Sequence, residues 1–179
     1  MLATTDRRGA VLGVLGGMGP AASAAFLLEL TAHYPAATDQ EHPCVLLLSD
    51  PAIPDRSSAL LRGDDAPLAA IRSGLHTLVS CGATLLAVPC NSAHFWVERL
   101  ADELPCPVVS IIDATLDEAV AKSPEGAWLL ATTFPLVNAC TELPLAAAAA
   151  GSPGKGTISS VAALVRATID ALTASRAHA

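Results

Sequence analysis

Aromatic side chains are scarce, at 3% of the chain, and charged ones make up only 15%, so a core here has to be assembled from Ala, Leu and Val. At 52% hydrophobic residues, such a composition excludes a disordered chain. Basic residues are few: ten Lys and Arg against seventeen Asp and Glu give a formal net charge of -7, a pI near 5.0 and no basic cluster. That balance argues against a nucleic-acid binder. The five cysteines, Cys44, Cys81, Cys90, Cys106 and Cys140, are odd in number and contain no CxxC pair. This excludes a disulfide framework and a zinc knuckle, and fits a reducing cytoplasm. Long apolar runs are lacking too. The best candidate for a leader or a span, Gly9 to Leu28, is broken by Gly16-Gly17-Met18-Gly19-Pro20 and closed by Glu29, so neither export nor membrane insertion is expected. Neither a GxGxxG fingerprint nor a GK[ST] run is present, which weakens a nucleotide-binding reading.

What is present is a repeated strand-to-helix grammar. Ala10 to Leu15 reads as a strand, GGMGP as a tight loop, and Ala21 to His33 as a helix with Pro20 at its entrance. Cys44 to Leu48 is the next strand, followed by a long loop over Ser49 to Gly63 that contains Asp55 and Arg56. Asp65 and Pro67 open a helix running to Ser80 with Leu68, Ile71, Leu75 and Leu78 on its apolar side, and Cys81 beyond it reads as buried and inert. Leu85 to Val88 is a strand covered on both faces, delivering Pro89, Cys90, Asn91 and Ser92 just past its end. A helix over Ser92 to Leu104 follows, with Phe95 and Leu100 as core positions and His94 on its first turn. His94 can point toward a site, cap the helix or simply pack. Val108 to Ile112 is a further strand and Leu116 to Val120 a further helix. These successive units predict a parallel α/β lobe.

The grammar fails after that. Ala127 to Thr132 and Leu136 to Ala139 are separated by only Thr133, Phe134 and Pro135, far less than a parallel crossover requires. Ala146 to Gly156 reads as a linker, and a last helix spans Ser160 to Ala174 with Val161, Leu164, Val165, Ile169 and Leu172 apolar. The chain therefore divides into a first lobe over 1–122 carrying Cys90, a truncated second lobe over 123–156 carrying Cys140, and a C-terminal helix over 157–179.

Polar residues just past a parallel strand sit where open α/β sheets bind small ligands. Cys90 is either one more buried small hydrophobe or a reactive thiol, and its neighbours Asn91, Ser92 and His94 favour the second. Arg56 either offers a bidentate fork to a planar carboxylate or pairs with Asp55 at the surface.

Five motifs occur in order: GGMGP at Gly16 to Pro20, DQEH at Asp39 to His42, PDR at Pro54 to Arg56, PCNSAH at Pro89 to His94 and CTELPL at Cys140 to Leu145. Together they resemble the aspartate/glutamate racemase family, its aspartate racemase branch above all. The resemblance implies two similar α/β lobes, no cofactor and no metal, an amino-acid substrate, and one cysteine on each side of the substrate α-carbon. Carried over position by position, it implies Cys90 and Cys140 as the catalytic pair. Asn91, Ser92 and Thr141 would bind the α-carboxylate and amino group, and Arg56 the side-chain carboxylate. For such chemistry the loop at Gly17 and Met18 can donate backbone N–H groups as negative charge develops. A homodimer or larger oligomer is expected, because a shortened second lobe leaves apolar surface to cover, and the resemblance points the same way. The departure lies between Thr133 and Cys140, where family members carry most of a second lobe and this chain has only Phe134 to Ala139. Competing readings are a racemase homologue without activity that binds a partner, and an isomerase or decarboxylase acting on a dicarboxylic acid.

Overall fold

A computed structural model describes residues 9–122 and 158–177. Cys140 and Thr141, with the rest of the expected second lobe, lie outside the described residues. Those described form one four-stranded, wholly parallel sheet in the order β2-β1-β3-β4. The central strand β1, Val11–Gly16, is buried along its whole length, which is why its sequence is apolar without alternation. β2, Cys44–Ser49, lies on one side of it and β3, Leu85–Ala87, on the other. β4, Val108–Val109, pairs with β3 at the edge.

The order reverses at β1. The chain leaves β1 for β2, then crosses back over β1 to reach β3, and this puts the two crossover helices on opposite faces. Phe26 and Leu30 of α1, Pro20–His33, pack on Leu12, Val14, Leu85 and Ala87. The last helix covers that face as well through Val161, Leu164 and Val165. On the other face, Ile71, Leu75 and Leu78 of α3, Ala66–Ser80, meet Leu15, Leu86 and Val88. β1 therefore sends alternate side chains into two cores.

Four expectations require correction. The stretch from Ser49 to Gly63 is not loop throughout: Arg56–Arg62 is helix α2, whose start is capped by Asp55 Oδ1 accepting the Ser58 N–H at 2.7 Å and whose end is Gly63 at φ 67. Both signals stood in the sequence, an Asp cap and a left-handed glycine flanking the seven residues of the helix. Val108 to Ile112 is a strand only at its first two residues, because Ser110 Oγ accepts the Asp113 N–H at 3.1 Å and starts α5, Ile111–Lys122. Phe95 is 46% exposed, and the fully buried ring of α4, His94–Leu100, is its neighbour Trp96. Cys81, at the end of α3, is exposed rather than buried. The final helix, α6, runs Ser160–Ala177 with Val161, Leu164, Val165 and Leu172 buried, and packs against α1 and α5.

Asp65 stands at the start of α3 but makes no side-chain cap. Its carboxylate instead reaches α4, accepting from both guanidinium nitrogens of Arg99 at 2.6 and 2.9 Å and from the Trp96 indole at 2.9 Å. The Arg99 bonds first, and the indole second, lower its pKa to about 2. A carboxylate depressed in the folded state adds stability that is complete above its unfolded pKa and lost as pH falls toward the folded value. Acid titration of stability is therefore expected to steepen between about pH 4 and pH 2 in the wild type, and Asp65→Asn to flatten that limb in denaturation curves taken at successive pH values.

Candidate active site

Parallel pairing brings the carboxyl ends of β1, β2 and β3 to one edge: Gly16 lies opposite Ser49, and Val14 opposite Ala87. The loops that follow them meet where the strand order reverses, the place at which open α/β sheets form a ligand crevice. Three of the sequence-selected segments arrive there: Gly17 and Met18 after β1, the turn leading to Arg56 after β2, and Cys90 to Ser92 after β3. Met18, Ile53 and Cys90 are buried in one cluster, so these loops pack on one another.

Cys90 is 4% exposed. Its N–H closes a tight turn onto the Val88 carbonyl at 2.7 Å, and its Sγ lies 3.5 Å from Ser92 Oγ. A hydroxyl at that distance can donate to a thiolate. The Cys90 carbonyl accepts from His94 Nδ1 at 2.9 Å, and His94 Nε2 accepts the Ile111 N–H at 3.3 Å. Among the roles open to His94, packing with hydrogen bonds is the one observed, since its ring is 1% exposed. Burial pushes its pKa down, while the bond to the Cys90 carbonyl, Glu98, the Val109 carbonyl and Asp113 pull weakly the other way.

Asn91 is buried and its amide donates to Ser160 Oγ at 3.1 Å. Ser160 opens α6, so the C-terminal helix braces the Cys90 turn from a point 69 residues away. No local pattern announces Ser160, and sequence reasoning missed it. It missed Ser23 as well. Ser23 Oγ accepts the Gly17 N–H at 3.0 Å and donates to the Gly19 carbonyl. The Gly17 N–H is thereby already engaged, and what Gly17 contributes is shape. It has φ 91, and a Cβ there would stand 2.4 Å from the Asp50 carbonyl carbon. Gly17→Ala is expected to lose roughly 3 kcal/mol from backbone strain plus a clash that no side chain can relieve, read as a shifted urea midpoint.

Arg56 is not paired with Asp55. The Asp55 carboxyl is held below its usual range first by its hydrogen bonds to Ser58, with Arg56 only a minor influence. Arg56 Nη1 donates to the Ile53 and Pro54 carbonyls at 3.1 Å each, and its Nε is buried with no partner among the described residues. The guanidinium is thus oriented by the turn and keeps donors to spare. Cys106 is partly buried, with its thiol pushed up by burial, and Cys44 and Cys81 lie away from these loops in the sheet's first edge strand and at the end of α3. Among the described residues no group of His, Cys, Asp or Glu could hold a metal ion, and no helix is long and apolar enough to cross a membrane.

The chain is similar to known proteins. A broad specificity amino-acid racemase, RacX, from Bacillus subtilis (strain 168) is 29% identical over 112 residues, 60% of this chain and 48% of its own. The solved structure of a Picrophilus torridus aspartate racemase is 34% identical and superposes with a TM-score of 0.57 over 65% of this chain and 49% of that one. An aspartate racemase homologue from Pyrococcus horikoshii OT3, at 21% identity and a TM-score of 0.52 over 64% of this chain and 50% of that one, shares the fold. The chain spans about half the length of each of these relatives. Residues 15–138, from the end of β1 past every loop of the crevice, match the Asp/Glu/Hydantoin racemase family, and to that family the chain belongs.

Proposed function

We propose that the chain racemises aspartate or a closely related amino acid without a cofactor, using Cys90 and Cys140 as paired acid and base. The observation that carries this reading is the position of Cys90: a single thiol at the carboxyl end of β3, at the reversal of strand order, beside a hydroxyl and packed with the glycine loop and the Arg56 turn. In the forward direction a thiolate takes the α-proton, breaking Cα–H and forming S–H. The electron pair left at Cα delocalises into the carboxylate. The opposite thiol then gives its proton to the other face, and the two sulfurs exchange protonation states. A free thiol has a pKa of about 8.5, so the Ser92 hydroxyl beside Cys90 has a clear use in stabilising the charged form.

The substrate contacts follow the same proposal. Ser92, Asn91 braced by Ser160, and Thr141 orient the α-carboxylate and amino group. Arg56 offers its spare donors to the distal carboxylate. Gly17 and Met18 shape the floor. On this proposal the second thiol and its neighbouring hydroxyl are those of Cys140 and Thr141, which lie outside the described residues. The protein works in the cytoplasm, where free thiols persist.

Incubation with each enantiomer of aspartate, glutamate and their relatives, followed by chiral chromatography, tests this. Interconversion of aspartate at a rate proportional to protein is the expected result. The second reading is a racemase relative without turnover that binds a partner, and the observation favouring it is the half-length coverage of its relatives. Absence of interconversion with every amino acid favours that reading. Assembly is a separate expectation: α5 exposes Leu116 and Val120, and a homodimer is expected to cover apolar surface of this kind. Light scattering at tens of micromolar should give twice the chain mass, and a monomer there would remove the dimer.

A further inference from the structure

We infer that His94 is a positioning residue for the Cys90 thiol: its neutral imidazole, carrying its proton on Nδ1, ties the Cys90 carbonyl to the first N–H of α5 and so fixes the turn that aims the sulfur. This inference rests on the proposed role of Cys90, and its physical part stands without it.

The hydrogen bonds assign the protonation state. The Cys90 carbonyl can only accept, so the 2.9 Å contact places the proton on Nδ1. The Ile111 N–H can only donate, so at 3.3 Å Nε2 must offer its lone pair. An imidazolium has no lone pair to offer. Protonation would therefore turn Nε2 from accepting the Ile111 N–H to donating toward the Val109 carbonyl, exchanging one backbone partner for another two residues earlier. Burial opposes that change. The charged groups that reach the ring are Glu98 on α4 and Asp113 on α5, and both favour it weakly.

The bond matters because it acts on the Cys90 carbonyl directly. Cys90 follows Pro89, which has no N–H to give, and the Cys90 N–H is spent on the tight turn to Val88. Asn91 is braced from α6 through Ser160. His94 supplies the brace from α5, and it alone of the two acts on the Cys90 peptide itself. Releasing it lets the carbonyl rotate and carries Sγ with it. A displacement of about 1 Å at a reacting group costs on the order of a hundredfold in rate.

Two substitutions separate positioning from mere packing. His94→Asn keeps an N–H near the place of Nδ1 and loses the reach to Ile111, whereas His94→Ala loses both. In the racemisation assay His94→Ala is expected to lower kcat on the order of a hundredfold with KM little changed, and His94→Asn to recover about tenfold of that loss. The readout independent of turnover is 15N–1H correlation of the His94 ring in the wild type, together with the rate at which iodoacetamide alkylates Cys90, followed by peptide mass. Expected are the neutral Nδ1–H tautomer near neutral pH and faster alkylation in His94→Ala than in His94→Asn or wild type. If the protein proves not to racemise any amino acid, these two readouts still decide the positioning claim. An Nε2–H tautomer, an imidazolium near neutral pH, or wild-type alkylation in a folded His94→Ala overturns it.

Discussion

Cys90→Ser is expected to abolish measurable racemisation, with a fall on the order of 10³-fold or more, while leaving the fold intact. Serine has the same branching as cysteine with a smaller terminal atom, and Cys90 contributes little volume to a cluster dominated by Leu15, Ile71, Leu75, Trp96 and Leu100. Chemistry separates them. A hydroxyl is a far weaker acid than a thiol of pKa about 8.5, so serine at this position is almost never the base, and a positioned acid or base is worth roughly 10²–10⁴ in rate. The loss should be asymmetric. With Cys140 intact, the enantiomer that presents its α-proton to Cys140 still exchanges with solvent, and the other does not. Cys140→Ser should show the mirror pattern. Racemisation at the wild-type rate in Cys90→Ser would remove this thiol from the mechanism, and equal exchange of both enantiomers in the variant would point to a single base.

The largest expected effect on stability belongs to Trp96. Its ring is fully buried between α3 and the sheet, and its Nε1 donates to Asp65 Oδ1 at 2.9 Å across to the start of α3. Truncation to alanine leaves a cavity among Ile71, Leu75 and Leu100 and orphans the carboxylate bond, for a loss of about 3–5 kcal/mol. A domain of this size holds only about 5–15 kcal/mol in total, so Trp96→Ala should populate unfolded chains near room temperature. Trp96→Phe keeps most of the ring and gives up the indole N–H, for about 1 kcal/mol. Urea unfolding of the two variants should therefore separate clearly. Equal midpoints would show that the indole hydrogen bond, rather than the volume, holds α4 to α3.

Much of this lobe is legible in the sequence because its strands are doubly covered. A strand such as VLGVLG or LLA has no polar face, and only a central parallel strand tolerates that. The position of Cys90 follows directly, since the residue after such a strand falls at the sheet's carboxyl edge. The errors have separate causes. Phe95 and Trp96 are adjacent, and one residue on a helix is a rotation of about 100°, so a phase error of a single residue is enough to place the wrong ring inward. Phe95 instead lies outside with the Arg99 guanidinium 5.7 Å above its ring. Helix α2 was hidden because its residues RSSALLR are short and polar at the start, and its cap and glycine terminator are weak signals singly. The two bonds that brace the Cys90 turn were not legible at all. Asn91 to Ser160 and His94 to Ile111 join residues of separate elements, and hydrophobic periodicity carries no information about a hydrogen bond between them.

The central claim is that a thiol at the switch point of this sheet moves the α-proton of an amino acid. Proton NMR of L-aspartate with the wild-type chain in D₂O measures that step without requiring complete turnover. The account predicts that the α-proton signal decays in proportion to protein concentration and that alkylating Cys90 beforehand slows the decay. An α-proton signal that persists unchanged through the same incubation, for aspartate, glutamate and their close relatives alike, contradicts it.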